Sequence, residues 1–472
     1  MAKRWSMIAI FAWFGLHLML AVTLPPADDE LYYWCWAKEL QPSYYDHPPM
    51  CAYLIRLATI GFGDTLFAVR LPACLCTLGS LLILARLIRP NHLIAVMLLM
   101  PLYSFGAILM TPDAPLLLFW TAYLAWLIRV HQRESAQWVI GGVLLGLGIL
   151  SKYTMGLAFI SAAVSLLLTR PIKQWIAGYV LHLLIAFVVT MPILVFNIQQ
   201  NFAPLLYQWQ HTMQSASPTV RHFPTFVGAQ IILMGCLPFV LLPWAIVHRR
   251  SLLNDPRLRV CATLFVVPLV FFLYKASRSS LEANWALVSF IGFWPLTTHA
   301  LSQWSSQQRK WAYSTFALPI TVTLLLALHL SIPSGLLPDT MDRFARLQKK
   351  FAAMHEISEV IHAMPHAPTV FATSYQTTAQ LRFQGIAAEQ IAAVSRASHF
   401  TQRPHPLNAH DEVLVLLEGP LPDELLREFD PPELLLEFPV FVGDHLFIRY
   451  YLFRLTKSSH DGVAQLDRTT HR

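Results

Sequence analysis

The chain has 472 residues, of which 55% are hydrophobic and 13% charged, and its mean hydropathy is +0.48. A soluble domain carries about 25% charged residues, so one large soluble core is excluded. The formal charge of +7 is scattered through short loops, and without a basic stripe nucleic acid is excluded as a partner.

The first apolar run, 6–24, follows Lys3 and Arg4. The stretch Ala21-Val22-Thr23 is a poor cleavage site, so the run reads as a retained span and not a signal peptide. Further apolar runs follow at 68–88, 92–110, 114–131, 137–150, 153–169, 175–196, 224–247, 258–274, 285–302 and 311–332. Roughly 20 residues cross a bilayer as a helix, so eleven helices are expected, the short 137–150 run pairing with 153–169 as a hairpin. Basic residues stay in the cytoplasm. With the N-terminus inside, Arg86, Arg89, Arg129, Arg133, Arg170, Lys173, Arg249, Arg250, Arg257, Arg259, Arg309 and Lys310 lie on that side. The chain after the eleventh span then lies outside.

The composition turns polar after Ser331-Ile332-Pro333. Apolar spacing predicts a helix over 341–363, and strands are expected over Thr369–Thr373, Glu412–Leu417 and Phe438–Phe453, the last turning at Gly443-Asp444. The fold class is therefore mainly α, a polytopic helical membrane domain over 1–332 with a small C-terminal periplasmic α/β domain over 333–472. The last dozen or so residues are expected to be disordered. Most cysteines sit in apolar runs and read as small buried residues; Cys35 and Cys51 share the first loop, which permits a disulfide.

The chemistry concentrates in the outer loops. In the first, 25–67, Asp28, Asp29 and Glu30 are adjacent where the first helix ends. Crowded carboxylates repel and need a cation, a metal or a raised pKa, which fits a general base; they equally fit the acidic first turn of a helix. Tyr32 and Trp36 give that helix an aromatic face suited to the membrane interface. Asp46 and His47 follow in Tyr44-Tyr45-Asp46-His47-Pro48-Pro49. They suit a divalent cation, the one candidate cofactor, or a turn in which Asp46 bonds the backbone. Asp113, in Met110-Thr111-Pro112-Asp113, reads first as a helix cap. Lys152, Lys275 and Arg278 place cations outside, where they either snorkel or meet an anionic phosphate. The 198–223 loop, with Gln208, Trp209, His211, Arg221 and His222, is long enough to be functional.

Five stretches in this order resemble a known family: DDELYYW at 28–34, SYYDHPP at 43–49, FAVRLPA at 67–73 with Arg70, MTPDAPLLLFW at 110–120 and LSKYTMG at 150–156. They are similar to the bacterial protein mannosyltransferase-like glycosyltransferases, which include the lipid A aminoarabinose transferase. The resemblance covers roughly 1–300, with an echo at Ser374-Tyr375-Gln376. It implies a GT-C membrane fold and transfer of a sugar from undecaprenyl phosphate to an outer-face acceptor such as lipid A, lipopolysaccharide or a protein. The family's Asp-Glu pair matches Asp29-Glu30, its acid before Pro-Pro matches Asp46, and its second-loop acid matches Asp113. Where the aminoarabinose transferase has Lys, this chain has His47. Asp28, Asp29 and Glu30 are then the candidate catalytic residues, and Asp46, His47, Asp113, Lys152, Arg70, Lys275 and Arg278 the candidate substrate-binding ones. A flippase for lipid-linked sugars, or an envelope glycan polymerase or ligase, is the alternative. Acids at the outer surface and the absence of a visible inverted repeat favour the transferase over the flippase, whereas only the order of the motifs argues against the polymerase or ligase.

Overall fold

A computed structural model describes residues 2–88, 92–132, 137–169, 171–213, 221–331, 337–364, 368–402, 407–419, 421–422 and 429–457. Arg89, Arg133, Arg170, the boundary at Pro333, the side chain of His211 and the 458–472 tail lie outside the described residues. Two compact units form. One is Met1–Leu24 with Glu39–Ser331, and the other is Pro25–Lys38 with Ile332–Arg472. The stretch expected as a single outer loop, 25–67, is thus divided between them.

The first unit is helical. In chain order it holds α1 (Ala2–Thr23), then, beyond α2 of the other unit (Asp28–Lys38), α3 (Met50–Phe62), α4 (Leu66–Leu84), α5 (His92–Leu98), α6 (Pro101–Ser104), α7 (Asp113–Gln132), α8 (Trp138–Ser151) and α9 (Gly156–Leu167). Next come α10 (Ile176–Val189), α11 (Met191–Gln199), α12 (Ala203–Met213), α13 (His222–Met234), α14 (Leu237–Val247), α15 (Arg249–Asn254) and α16 (Pro256–Ala276). The unit closes with α17 (Ser289–Gln303), α18 (Ser306–Ser314) and α19 (Ala317–Ser331). Trp120, Trp294, Phe265 and Phe290 are fully enclosed in its core.

Eleven full spans were expected. Among the described residues, five helical stretches are long and apolar enough to cross a membrane, or up to seven if each of two bent pairs is one span. The difference lies in local breaks. The predicted 92–110 helix stops because Pro101 holds Met100 extended, with φ −71° and ψ 139°, as a proline does to its predecessor. α10 and α11 meet at 51°, and α13 and α14 at 99°. The second bend turns on Gly235, whose φ is +78° and whose missing Cβ would sit 2.4 Å from the Thr315 carbonyl oxygen. Only glycine accepts both the left-handed backbone and that approach. α8 and α9 are shorter apolar helices, and α8 packs mainly on α10 and α7 rather than on α9, its expected hairpin partner.

In the second unit, α20 (Arg343–His362) and α21 (Tyr375–Phe383) accompany five strands: β1 (Val370–Ala372), β2 (Ala388–Gln390), β3 (Glu412–Leu417), β4 (Glu433–Val442) and β5 (His445–Thr456). The sheet order is β2-β1-β3-β5-β4. β1 is parallel to β2 and β3, whereas β5 is antiparallel to β3 and β4. Strand alternation sends Leu414 and Leu416 toward Met354 and Ile357 of α20, and Val413 and Val415 toward Phe371 and Leu455. β2 has only three residues, too few for alternation to reveal it in the sequence.

Helix α2 is part of this unit. Its aromatic side chains do not form a membrane-facing surface. Tyr32, Tyr33, Trp34 and Trp36 are all buried. Tyr32 meets Tyr375 with tilted rings, centroids 4.5 Å apart, and Trp34 meets Phe383 edge-on at 5.0 Å. None of the six cysteines is in a disulfide, so Cys35 and Cys51 are not joined.

Candidate active site

The three adjacent carboxylates have three different surroundings. Glu30 is fully buried, and its carboxylate accepts the Ala27 N–H at 2.9 Å. That is the backward half of a capping box, which satisfies an orphan donor at the start of α2. Asp28 accepts from Lys350 of α20 at 3.2 Å and from Gln380 of α21 at 2.5 Å. Asp29 is the exposed member of the three, and its Oδ1 accepts the Tyr375 hydroxyl at 3.0 Å. The Arg396 guanidinium lies 4.2 Å from the centre of the Tyr375 ring. Burial first, and then the Asp29 carboxylate, push the Tyr375 phenol above the ordinary tyrosine range. The phenol therefore keeps its proton and donates it to Asp29 through neutral pH.

The helical unit holds the other candidates. Asp113 opens α7, and both of its oxygens are used. Oδ1 accepts Lys152 Nζ at 2.7 Å and Oδ2 accepts Asn284 Nδ2 at 2.7 Å. Lys152, expected either to snorkel or to meet phosphate, thus has a buried carboxylate partner. The pair is only 11% and 10% exposed, so each charge offsets the other's loss of water.

Lys152 also lines a cavity of about 400 Å³, together with His47, Gln208, Tyr153, Trp285 and Lys275. Phe271, Phe272, Leu157 and Trp209 make the remaining walls mostly apolar. Lys275, in the last turn of α16, is buried, and no described carboxylate lies within ion-pair distance of it. With Asp113 balancing Lys152, the cavity keeps a net positive charge beside an apolar wall. The backbone turn at Asn201 and Phe202, both at positive φ, starts α12. That helix brings Gln208 to donate to the Asp46 carbonyl and the Tyr207 ring to within 4.9 Å of the Tyr45 ring, tilted against it.

Not every cation joins the cavity. Arg70 is fully enclosed and donates from Nη1 to the carbonyls of Leu24 at 2.8 Å and Ala21 at 3.3 Å. It satisfies the free carbonyls at the end of α1, where a cation also complements the helix dipole; a substrate does not reach a side chain so enclosed. Arg278 is exposed and lies over the Tyr274 ring at 5.6 Å. No group of three or more His, Cys, Asp or Glu able to hold a metal occurs among the described residues. The divalent cation expected at Asp46 and His47 therefore lacks a third donor of those types. Sequence reasoning missed Lys350, Gln380 and Arg396, which carry no local signal; Tyr375 lay in the weak echo at 374–376.

A unit of apolar helices, two of its pairs bent, with buried cations lining an apolar cavity, and a second, small α/β unit with an exposed carboxylate and a phenol donor are features of a GT-C-type membrane protein. Residues 46–196 match the family model described as dolichyl-phosphate-mannose-protein mannosyltransferase. A lipid A galacturonosyltransferase, RgtD, of Rhizobium johnstonii is 24% identical over 277 residues, 56% of this chain and 58% of that protein. The match thus spans less than two thirds of that relative's length. The crystal structure of ArnT from Cupriavidus metallidurans bound to undecaprenyl phosphate is 16% identical, with a TM-score of 0.64 over 96% of this chain and 98% of that one. Its apo form is 15% identical, with the same TM-score and coverage. The chain therefore has the GT-C fold and is similar over part of its length to a lipid A galacturonosyltransferase; it is a multi-pass membrane protein.

Proposed function

We propose that this protein is a glycosyltransferase that moves a sugar from undecaprenyl phosphate to lipid A, lipopolysaccharide or another envelope acceptor on the periplasmic face of the inner membrane. The observation that carries the reading is the apolar cavity lined by buried Lys152 and Lys275. An isoprenoid phosphate has both parts such a cavity matches: an apolar chain for Phe271 and Phe272, and an anion for the ammonium groups. That ArnT holds undecaprenyl phosphate in its crystal structure and that the curated relative acts on lipid A support the same donor and acceptor classes.

Asp29 is the base. It takes the proton of the acceptor hydroxyl, whose oxygen forms the new bond to the anomeric carbon. The bond between that carbon and the carrier phosphate oxygen breaks, and its electron pair leaves with the phosphate. The transition state has oxocarbenium character, and Lys275 with Lys152 stabilises the charge that grows on the leaving phosphate. Tyr375 orients the Asp29 carboxylate, while Asp28 and Glu30 hold α2 in place. His47 completes the phosphate end of the cavity when protonated. The lipid-linked sugar is already activated, so the reaction needs no nucleotide outside the cytoplasm.

The test is Asp29→Asn and Asp29→Ala in cells, with envelope lipids followed by mass spectrometry and protein abundance by blot. General-base removal costs about 10²–10⁴-fold in rate, so one sugar is expected to vanish from its acceptor at normal abundance. An unchanged glycan profile in both variants removes Asp29 from the mechanism.

A further inference from the structure

A second cavity, of about 800 Å³, opens in the helical unit. It is separate from the cavity with Lys275. Asp255, Arg257 and Cys261 at the start of α16 line it, whereas Phe271, Phe272 and Lys275 at the end of α16 line the other. At 1.5 Å per residue, the 18 steps from Arg257 to Lys275 separate the two by about 27 Å along one helix. Arg86, just beyond the end of α4, Arg309 of α18 and the imidazoles of His92 and His299 complete the polar lining.

The charge balance is one-sided. Among the described residues, Asp255 is the only acid in the lining, and its carboxylate is occupied as the cap of α16. It accepts the N–H groups of Arg257 at 2.7 Å and Leu258 at 3.4 Å. Among the described residues, no carboxylate pairs with Arg86, Arg257 or Arg309. Among the described residues, the Arg309 guanidinium donates only to the Trp304 carbonyl, at 2.7 Å. His92 and Tyr313 are hydrogen-bonded to each other across the lining. Three guanidiniums with open donors face a space whose volume falls in the range of small-ligand sites. Guanidinium forks match phosphate oxygens in geometry and charge. Leu87, Ile128, Leu258 and Pro295 supply an apolar side to the same space.

We propose that this cavity is a phosphate-ester site at the basic end of the bundle, unrelated to the transfer step. The phosphate comes from an anionic lipid headgroup or from a soluble phosphate ester. The apolar side, and the basic residues that predict a cytoplasmic end, fit the headgroup of an anionic lipid in that leaflet.

The experiment uses the purified full chain in neutral detergent. Native mass spectrometry follows retention of phosphatidylglycerol against phosphatidylcholine, and a second arm adds glycerol 3-phosphate in excess. Arg257→Gln with Arg309→Gln is expected to lower phosphatidylglycerol retention about tenfold or more, and Arg257→Lys with Arg309→Lys to restore part of it. Retention that survives glycerol 3-phosphate assigns the lipid source, and retention abolished by it assigns the soluble one. Thermal unfolding of each variant confirms that the bundle is intact. Equal retention by the wild type and the folded glutamine variant overturns the proposal.

Discussion

Asp113 sits in a buried three-way contact, with Lys152 on one oxygen and Asn284 on the other. Removing one partner of a buried pair strands the other charge, which costs about 3–5 kcal/mol. Asp113→Ala is therefore expected to lower thermal stability in detergent by that order, and adding Lys152→Met is expected to recover part of the loss. A stability unchanged by Asp113→Ala would contradict the pairing. Asp113 and Lys152 were each visible in the sequence as outer charged residues, but their pairing was not. The same holds around the acidic loop. The partners of Asp28 and Asp29, namely Lys350, Tyr375 and Gln380, stand 322, 346 and 352 residues away. Hydrophobic periodicity reports which face of a helix is apolar and says nothing about which distant polar side chain meets it. Hence only the resemblance of the ordered motifs singled out the Asp29-Glu30 pair, while the fold gives Glu30 a capping bond and ties Asp28 to α20 and α21.

Elements with a sustained period were legible. α1, α4, α7, α16, α20 and β3 fall close to their expected bounds, because each buries a continuous apolar face. What escaped were the breaks inside apolar runs at Met100, Thr190 and Gly235, since composition hardly changes across them. Packing between elements rests on similarly small features. A Cβ added to Gly292 of α17 would lie 2.3 Å from the Cys261 carbonyl oxygen and 2.9 Å from the Phe265 nitrogen of α16. The two helices approach through that glycine, as small residues permit in membrane bundles. Gly292→Val is expected to force them apart and destabilise the protein by about 1–3 kcal/mol, read as a lowered midpoint of thermal unfolding. An unchanged midpoint would show that α16 and α17 do not pack so closely.

For the whole molecule, the grouping of Pro25–Lys38 with the C-terminal segment has a topological consequence. Two parts of one compact unit lie on one side of a bilayer, so the crossings between Glu39 and Ser331 are even in number. With the basic ends of the spans inside, the proposed orientation puts α2 and the C-terminal segment in the periplasm. Alkaline phosphatase joined after Thr456 is expected to be active, and joined at the N-terminus inactive; the reverse pattern would invert the proposed orientation. The class of molecule was legible from apolar runs and ordered motifs, but the count of spans was not, because several apolar helices are short or bent.

The central claim is that the protein makes a glycosidic bond at the expense of a carrier phosphate ester. The most direct measurement reconstitutes the full chain in liposomes with envelope lipids that contain undecaprenyl-phosphate-linked sugars and with lipid A. Mass spectrometry then follows the carrier and the acceptor together. The account predicts that free undecaprenyl phosphate appears in step with an acceptor one sugar heavier, and that Asp29→Asn abolishes both. Movement of the lipid-linked sugar between leaflets with no change in the mass of any acceptor would contradict it.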